Sequence, residues 1–203
     1  SPLVAEMEQK YGKVQTIGRQ IAYDPDSDSW PAFPDYYINF PGLYRKDLWD
    51  EIGMTPDTWE DIRKGGAKLK AKGNPVGIGL GHSVDPNLSW RGVLWSYGAS
   101  EVDESGKQIT INSKETLEAV KLARAIYKET MNPEVLSWDD AGNNRFLASG
   151  KGCWIHNPIS AYRTIQKSNP ELADKIFAWK TPAGPVRRLV AGSPNSYAIW
   201  KFA

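Results

Sequence analysis

From Pro41 to Arg63 the chain reads Pro-Gly-Leu-Tyr-Arg-Lys-Asp-Leu-Trp-Asp-Glu-Ile-Gly-Met-Thr-Pro-Asp-Thr-Trp-Glu-Asp-Ile-Arg, and no other stretch constrains its folding so tightly. The phrase holds two helix starts separated by one sharp turn. A short helix is expected over 45–51. Gly53 ends it, because a residue without a Cβ enters the left-handed C′ conformation at little cost. Pro56 then keeps Thr55 extended, and Thr58 stands where its hydroxyl can cap a second helix over 59–72 whose third residue is Asp61.

The first residues read as part of a helix ending at Gly12. Extended segments are expected at 18–23 and 30–39, on either side of the polar turn 24–29. Residues 76–80 read as a short strand, and Asp85-Pro86-Asn87 opens a helix after it. A strand, a loop and a helix in that order put the loop at the strand's carboxyl end, the usual ligand side of an open α/β sheet. Residues 102–111 form a hairpin. Asn112 is expected to cap the next helix with Glu115 as its capping-box partner, and Ala119, Leu122, Ala123 and Ile126 recur along one face of it. Strands follow at 153–156, 176–179 and 189–200, with helices at 159–167 and 170–174.

Composition excludes several classes. The 203 residues carry a net charge of +1, with no long basic block, so neither nucleic acid nor an anionic membrane is a fitting partner. One cysteine and two histidines rule out an intrachain disulfide and make a Cys/His metal site a poor fit. No run approaches the ~20 apolar residues of a membrane span. The 9 Trp and 9 Tyr stand out against 5 Phe, and such rings pair a flat apolar face with a polar edge suited to a pyranose.

The opening phrase resembles the segment of family 1 extracellular solute-binding proteins, the sugar receptors of ABC importers, in which a hinge strand ends at a Tyr-Arg-Lys-Asp run. The likeness continues through Gly79 and Trp90, Tyr97-Gly98-Ala99 with Asp103 and Gly106, Asn112-Ser113, Phe146-Leu147 with Gly150-Lys151, Pro182-Gly184-Pro185, and Ala191-Gly192-Ser193. It implies an α/β fold: one lobe of a periplasmic-binding-protein-like two-lobe receptor of type II, helix-rich, with hinge-crossover strands. Residues 1–42 would be the end of the first lobe and the first crossover, 43–180 the second lobe, and 181–203 the second crossover, truncated. The implied role is capture of a small solute, most simply a sugar or oligosaccharide, in an interlobe cleft. No covalent chemistry and no cofactor are needed, and the partners are the transmembrane permease subunits of the importer. The implied location is periplasmic or extracellular. A chain with both ends cut is expected to bind weakly and, through unpaired strand edges, to dimerise.

Three loops are the candidate contacts. Trp138, Asp139, Asp140, Asn143 and Asn144 crowd carboxylates, carboxamides and an indole together, a set suited to neutral polyol hydroxyls, although Asp140 or Asn143 could instead cap the helix bearing Phe146. His82, Asp85 and Asn87 gather after a strand, with Trp90 assigned to the cleft and capping as the plainer role of Asp85 and Asn87. Trp154 belongs to the strand that also carries His156, read as a satisfied structural histidine, and Asn157 follows at its carboxyl end, where it serves equally well as a helix cap. Tyr37, Ser193 and Asn195 come from the resemblance, as residues of the crossovers.

Rival readings keep the fold and change the cargo. A polyamine would need more carboxylates, and a phosphorylated polyol would need Arg91, Arg145, Arg163, Arg187 or Arg188 turned inward. A glycoside hydrolase built on Asp139 and Asp140, or on Asp85, would need facing acids, whereas adjacent residues in an extended stretch point apart.

Overall fold

The computed structural model describes residues 2–200 and 202, without the side chain of Ser193. Two compact units separate along the chain: Phe40–Ala191, and a smaller unit built from the residues up to 39 and from 192 onward.

In the smaller unit, α1 (Pro2–Tyr11) stops at Gly12, whose φ of 92° is left-handed. The segment expected to be extended at 18–23 is instead helix α2 (Thr16–Ala22). Ile17 and Ile21 lie one helical turn apart, and Gly18 leaves Val14 and Pro34 within 3.1 and 3.2 Å of where a Cβ would stand. The turn 24–29 closes through the Asp24–Ser29 bridge, with the Asp24 carboxylate accepting from the Asp26 N–H at 3.0 Å and the Ser27 hydroxyl at 2.5 Å. Strand β1 (Phe33–Ile38) follows.

The larger unit folds its opening phrase as the residues dictate. Strand β2 (Gly42–Arg45) runs into α3 (Lys46–Glu51), and Gly53 turns the chain with a φ of 65°. The Thr58 hydroxyl accepts from the Asp61 N–H at 3.0 Å while the Asp61 carboxylate accepts from the Thr58 N–H at 2.9 Å. This reciprocal cap, worth about 1 kcal/mol, starts α4 (Trp59–Ala71). Strand β3 (Val76–Gly77) is shorter than the expected 76–80, because the Leu80 N–H leaves the sheet to bond the Val135 carbonyl at 2.8 Å. Next come α5 (Val84–Ser96), the small turn closed by the Val102–Ile109 bridge, and α6 (Lys114–Thr130). Helix α6 is capped by Ser113, not Asn112: the Ser113 hydroxyl accepts from the Thr116 N–H at 3.2 Å, which leaves Glu115 one position short of the capping-box site.

Helix α7 (Gly142–Ala148), strand β4 (Trp154–His156), helices α8 (Ser160–Ser168) and α9 (Pro170–Ala173), and strand β5 (Ile176–Trp179) complete the unit. The sheet order is β3-β4-β2-β5; β3 and β4 are parallel, and β2 is antiparallel to both of its neighbours. Residues 181–191, expected in the second crossover, are tied into this unit: Ala183 exchanges backbone bonds with Asp57 and Trp59, and the Arg188 guanidinium meets the Asp57 carboxylate at 2.9 Å. Strand β6 (Ser193–Tyr197), narrower than the expected 189–200, pairs antiparallel with β1 in the smaller unit.

Much of the tryptophan goes into the core of the larger unit. Trp49, Trp59 and Trp154 are fully buried beside Ile62, Leu69, Ile78 and Ile126. At ~25 cal/mol per Å² over roughly 200 Å², each indole contributes about 5 kcal/mol of transfer free energy. Two glycines make room: a Cβ on Gly65 would stand 2.4 Å from the Trp49 ring, and one on Gly42 would stand 2.6 Å from Trp154 Nε1.

Candidate functional site

Because β3 and β4 run parallel, the chain leaves both at the same end of the sheet. The first exit leads through 78–83 into α5, the second through His156 to Asn157. The loop before α7 joins them there, since Asp140 accepts the Asp85 N–H on its carboxylate at 2.8 Å. That bond satisfies one of the free donors in the first turn of α5.

Asn143 ties the three pieces together. Its side-chain Nδ2 donates to Asn157 Oδ1 at 3.1 Å and to the His156 carbonyl at 3.3 Å, and reaches Asp85 Oδ2 at 3.5 Å. Three acceptors around one nitrogen fix the amide's orientation, for the flipped group would set oxygen against three oxygens. Asn143 is only 4% exposed, and its Oδ1 is buried without a partner. Asn144 Oδ1 and Ser83 Oγ are likewise buried and unpartnered. Asp85 is half-buried, and its carboxyl is pushed up from the ordinary 3.8 to about 6, first by desolvation and then by the Asp140 charge, with Asn143 pulling it back.

Directly behind lies a polar group with nothing left over. His156 is 1% exposed; its Nδ1 meets Ser89 Oγ at 2.9 Å and its Nε2 meets Thr181 Oγ1 at 2.8 Å. Its ring stacks on Trp154 at 5.8 Å with 7° between the planes, and Trp59 closes on it edge-on. Burial lowers its pKa from 6.5 to about 4, so it stays neutral, as a structural histidine does.

The other candidate residues separate by environment. Trp154 is fully buried in the core, so its indole is packing and not a ligand-facing surface. Asp139 is exposed and paired with Arg145 at 2.6 Å, whereas Asp140 accepts from the Asp85 N–H. Trp138 packs on Phe146 at 5.1 Å and lies over Gly142, whose missing Cβ would stand 2.5 Å from it. Neither Asp140 nor Asn143 caps α7, which begins after Ala141 without a side-chain cap, and Asn157 caps nothing because α8 begins after Ile159. Trp90 spends its indole N–H on the Gly79 carbonyl at 2.9 Å, and with Asn87, Arg91 and Glu101 it lines a separate groove of about 320 Å³. His82 is exposed. In the smaller unit, Tyr37 and Asn195 line a concavity of about 340 Å³ with Tyr36, Pro34 and Ile21. Ser193 cannot be placed with them, its side chain being outside the described residues.

The arginines that a phosphate would need are engaged elsewhere: Arg91 with Glu101, Arg145 with Asp139, Arg163 with Gln166, Arg187 with the Trp95 carbonyl and Arg188 with Asp57. Sequence reasoning missed Ser89 and Thr181, which complete the histidine's bonding. Nothing local in the sequence marks them; they lie 67 and 25 residues from His156.

The sequence pattern of the bacterial extracellular solute-binding proteins matches residues 5–203. The chain belongs to that family. Among solved structures, the maltose-bound MalE3 of T. maritima superposes with a TM-score of 0.81 at 21% identity over 96% of this chain and 51% of its own. A ribitol complex of an ABC transporter solute-binding protein from Agrobacterium radiobacter K84 gives 0.78 at 20% identity, over 97% and 51%. A sugar transporter protein of Arthrobacter chlorophenolicus A6 with bound laminaribiose gives 0.70 at 16%, over 97% and 48%. The fold is therefore the α/β, helix-rich fold of these periplasmic-binding proteins, and the chain spans about half the length of those it matches.

Proposed function

We propose that the chain is part of the solute-binding component of an ABC importer, active in the periplasm or outside the cell, and that its cargo is a small sugar, sugar alcohol or oligosaccharide. The observation that carries this reading is the Asp85, Asp140, Asn143 and Asn157 cluster at the carboxyl end of β3 and β4, where acceptors are left over after every internal bond is made. Hydroxyl groups supply what such acceptors lack. Support also comes from the family and from the maltose, ribitol and laminaribiose carried by the three structural relatives. The family is one of solute-binding proteins, which favours capture over catalysis, and the Asp139–Arg145 pairing leaves Asp139 unsuited to acid–base work.

In this reading the two lobes of the full receptor close over the solute, and the closed form is recognised by the transmembrane permease subunits. A polyamine cargo is the second reading, favoured by the two carboxylates at the site; a phosphorylated one is disfavoured by the arginines' other engagements. The test is a thermal-shift screen at millimolar concentrations of mono- and oligosaccharides, sugar alcohols and polyamines. Stabilisation by one carbohydrate class is the expected result. Stabilisation by polyamines alone would replace the sugar reading.

A further inference from the structure

Resting on the receptor reading, we infer that the solute is an amine-bearing sugar or polyol whose ammonium group sits against Asp85. Three observations converge on this. The first is an imbalance of hydrogen-bonding capacity. Asn143 Oδ1 and Asn144 Oδ1 are buried acceptors with no donor, and the Asp85 carboxylate has only the long 3.5 Å contact from Asn143. On the donor side, Ser83 contributes one unpartnered hydroxyl, while Asn143 Nδ2 is already shared among three acceptors. An ammonium offers three donors and no acceptor, which is the complement of this set.

The second is uncompensated charge. Asp85 and Asp140 sit together, and among the described residues no lysine, arginine or histidine forms an ion pair with either. Arg145, on the same helix as Asn143, is turned to Asp139. Behind the cluster, His156 on β4 is held neutral and bonded to two hydroxyls. A neutral hydroxyl would satisfy an acceptor and leave the charge uncompensated; an ammonium satisfies the acceptor and offsets the charge.

The third is that Asn143 is held rigidly. Its amide is fixed by Asn157 and the His156 carbonyl, so its Nδ2 is held beside the Asp85 carboxylate and its orphaned oxygen is held in one orientation with it. Pre-set polar groups discriminate strongly, because a ligand that fails to match leaves them unpaired. The elevated pKa of Asp85 is the same imbalance seen from the proton's side: below about 6 a proton takes the place the ammonium would occupy. Affinity for an amine should therefore fall as the medium acidifies through that value, the neighbouring titratable groups being Asp140 and, exposed in the preceding loop, His82.

The experiment uses matched pairs on the full chain: glucosamine against glucose, and N-methylglucamine against sorbitol, with spermidine as a cation lacking hydroxyls. The Asp85 carboxyl carbon and the backbone amides are followed by NMR at about pH 7.5 and about pH 5. Expected is binding of the aminated member about tenfold tighter at the higher pH, a preference that shrinks at the lower pH, a downward shift of the Asp85 titration, and loss of the preference in Asp85→Asn. Equal or tighter binding of the neutral members would overturn the inference and leave the receptor reading standing. A response to spermidine alone would overturn the polyol reading on which it rests, and stillness of Asp85 toward all five probes would overturn the inference, the receptor reading being decided by the thermal-shift screen with oligosaccharides.

Discussion

His156 and Asn157 are neighbours in the chain and are both 1% exposed, yet they belong to two polar groups of opposite character. The histidine's nitrogens are matched one to one by Ser89 and Thr181, and aromatic rings seal it. Asn157 instead opens a chain of bonds through Asn143 to Asp85 that ends in unpaired acceptors. A saturated polar group stabilises the fold and has nothing to offer a ligand, whereas an unsaturated one costs stability and keeps that capacity for binding. The indole N–H groups of Trp59 and Trp154 are also unpartnered, but those rings pack edge to face at 5.9 Å inside the aromatic core, where a ring edge finds a π face.

The sharpest way to break this contrast is to truncate each side. His156→Ala should cost about 3 kcal/mol in urea unfolding, since it opens a cavity and leaves two buried hydroxyls unpaired. Asn143→Ala should cost about 2 kcal/mol and, by removing the bond that lowers it, raise the Asp85 pKa above about 6 in a carboxyl NMR titration. If the two variants lose ligand affinity equally after correction for stability, the distinction between the groups fails.

pH separates the groups by sign. Asp85 is raised in the fold, so its contribution is fully present below 3.8 and is lost as pH climbs through about 6. His156 is depressed, so its contribution is present above 6.5 and is lost as pH falls toward about 4. Asp85→Asn should therefore gain on the order of 1 kcal/mol at neutral pH and nothing near pH 3, making acid destabilisation steeper in melts recorded across that range. The smallest effect is expected of Asp139→Ala, an exposed ion-pair residue whose loss should leave both melting and ligand affinity where they were.

What the sequence made legible follows from the range of the physics involved. Gly53, Pro56 and the Thr58–Asp61 cap act within four residues, and they were readable to the residue. Helix α2 was missed because its apolar residues are few and Gly18 reads as a breaker until Pro34, far along the chain, packs against it. At the site, Asp140 and Asn143 were expected together in one loop and Asp85 in another; the contacts that join the two loops span 55 and 58 residues, and nothing local in the sequence marks them. The role of Trp154 was not readable: an indole on a strand looks alike from the sequence whether it faces solvent or, as here, a pocket left by the missing Cβ of Gly42. The many tryptophans signalled a demanding core more than a sugar platform.

The central claim, that solute contact lies with the unsaturated group, is tested most directly by backbone amide shift mapping of the intact chain with the most stabilising solute from the thermal screen. The expected result is that the largest shifts fall on Ser83, Asp85, Asp140, Asn143 and Asn144, with Ser89 and Thr181 nearly still. Shifts concentrated instead on Asn87, Trp90, Arg91 and Glu101, while Asp85 and Asn143 do not move, would contradict it.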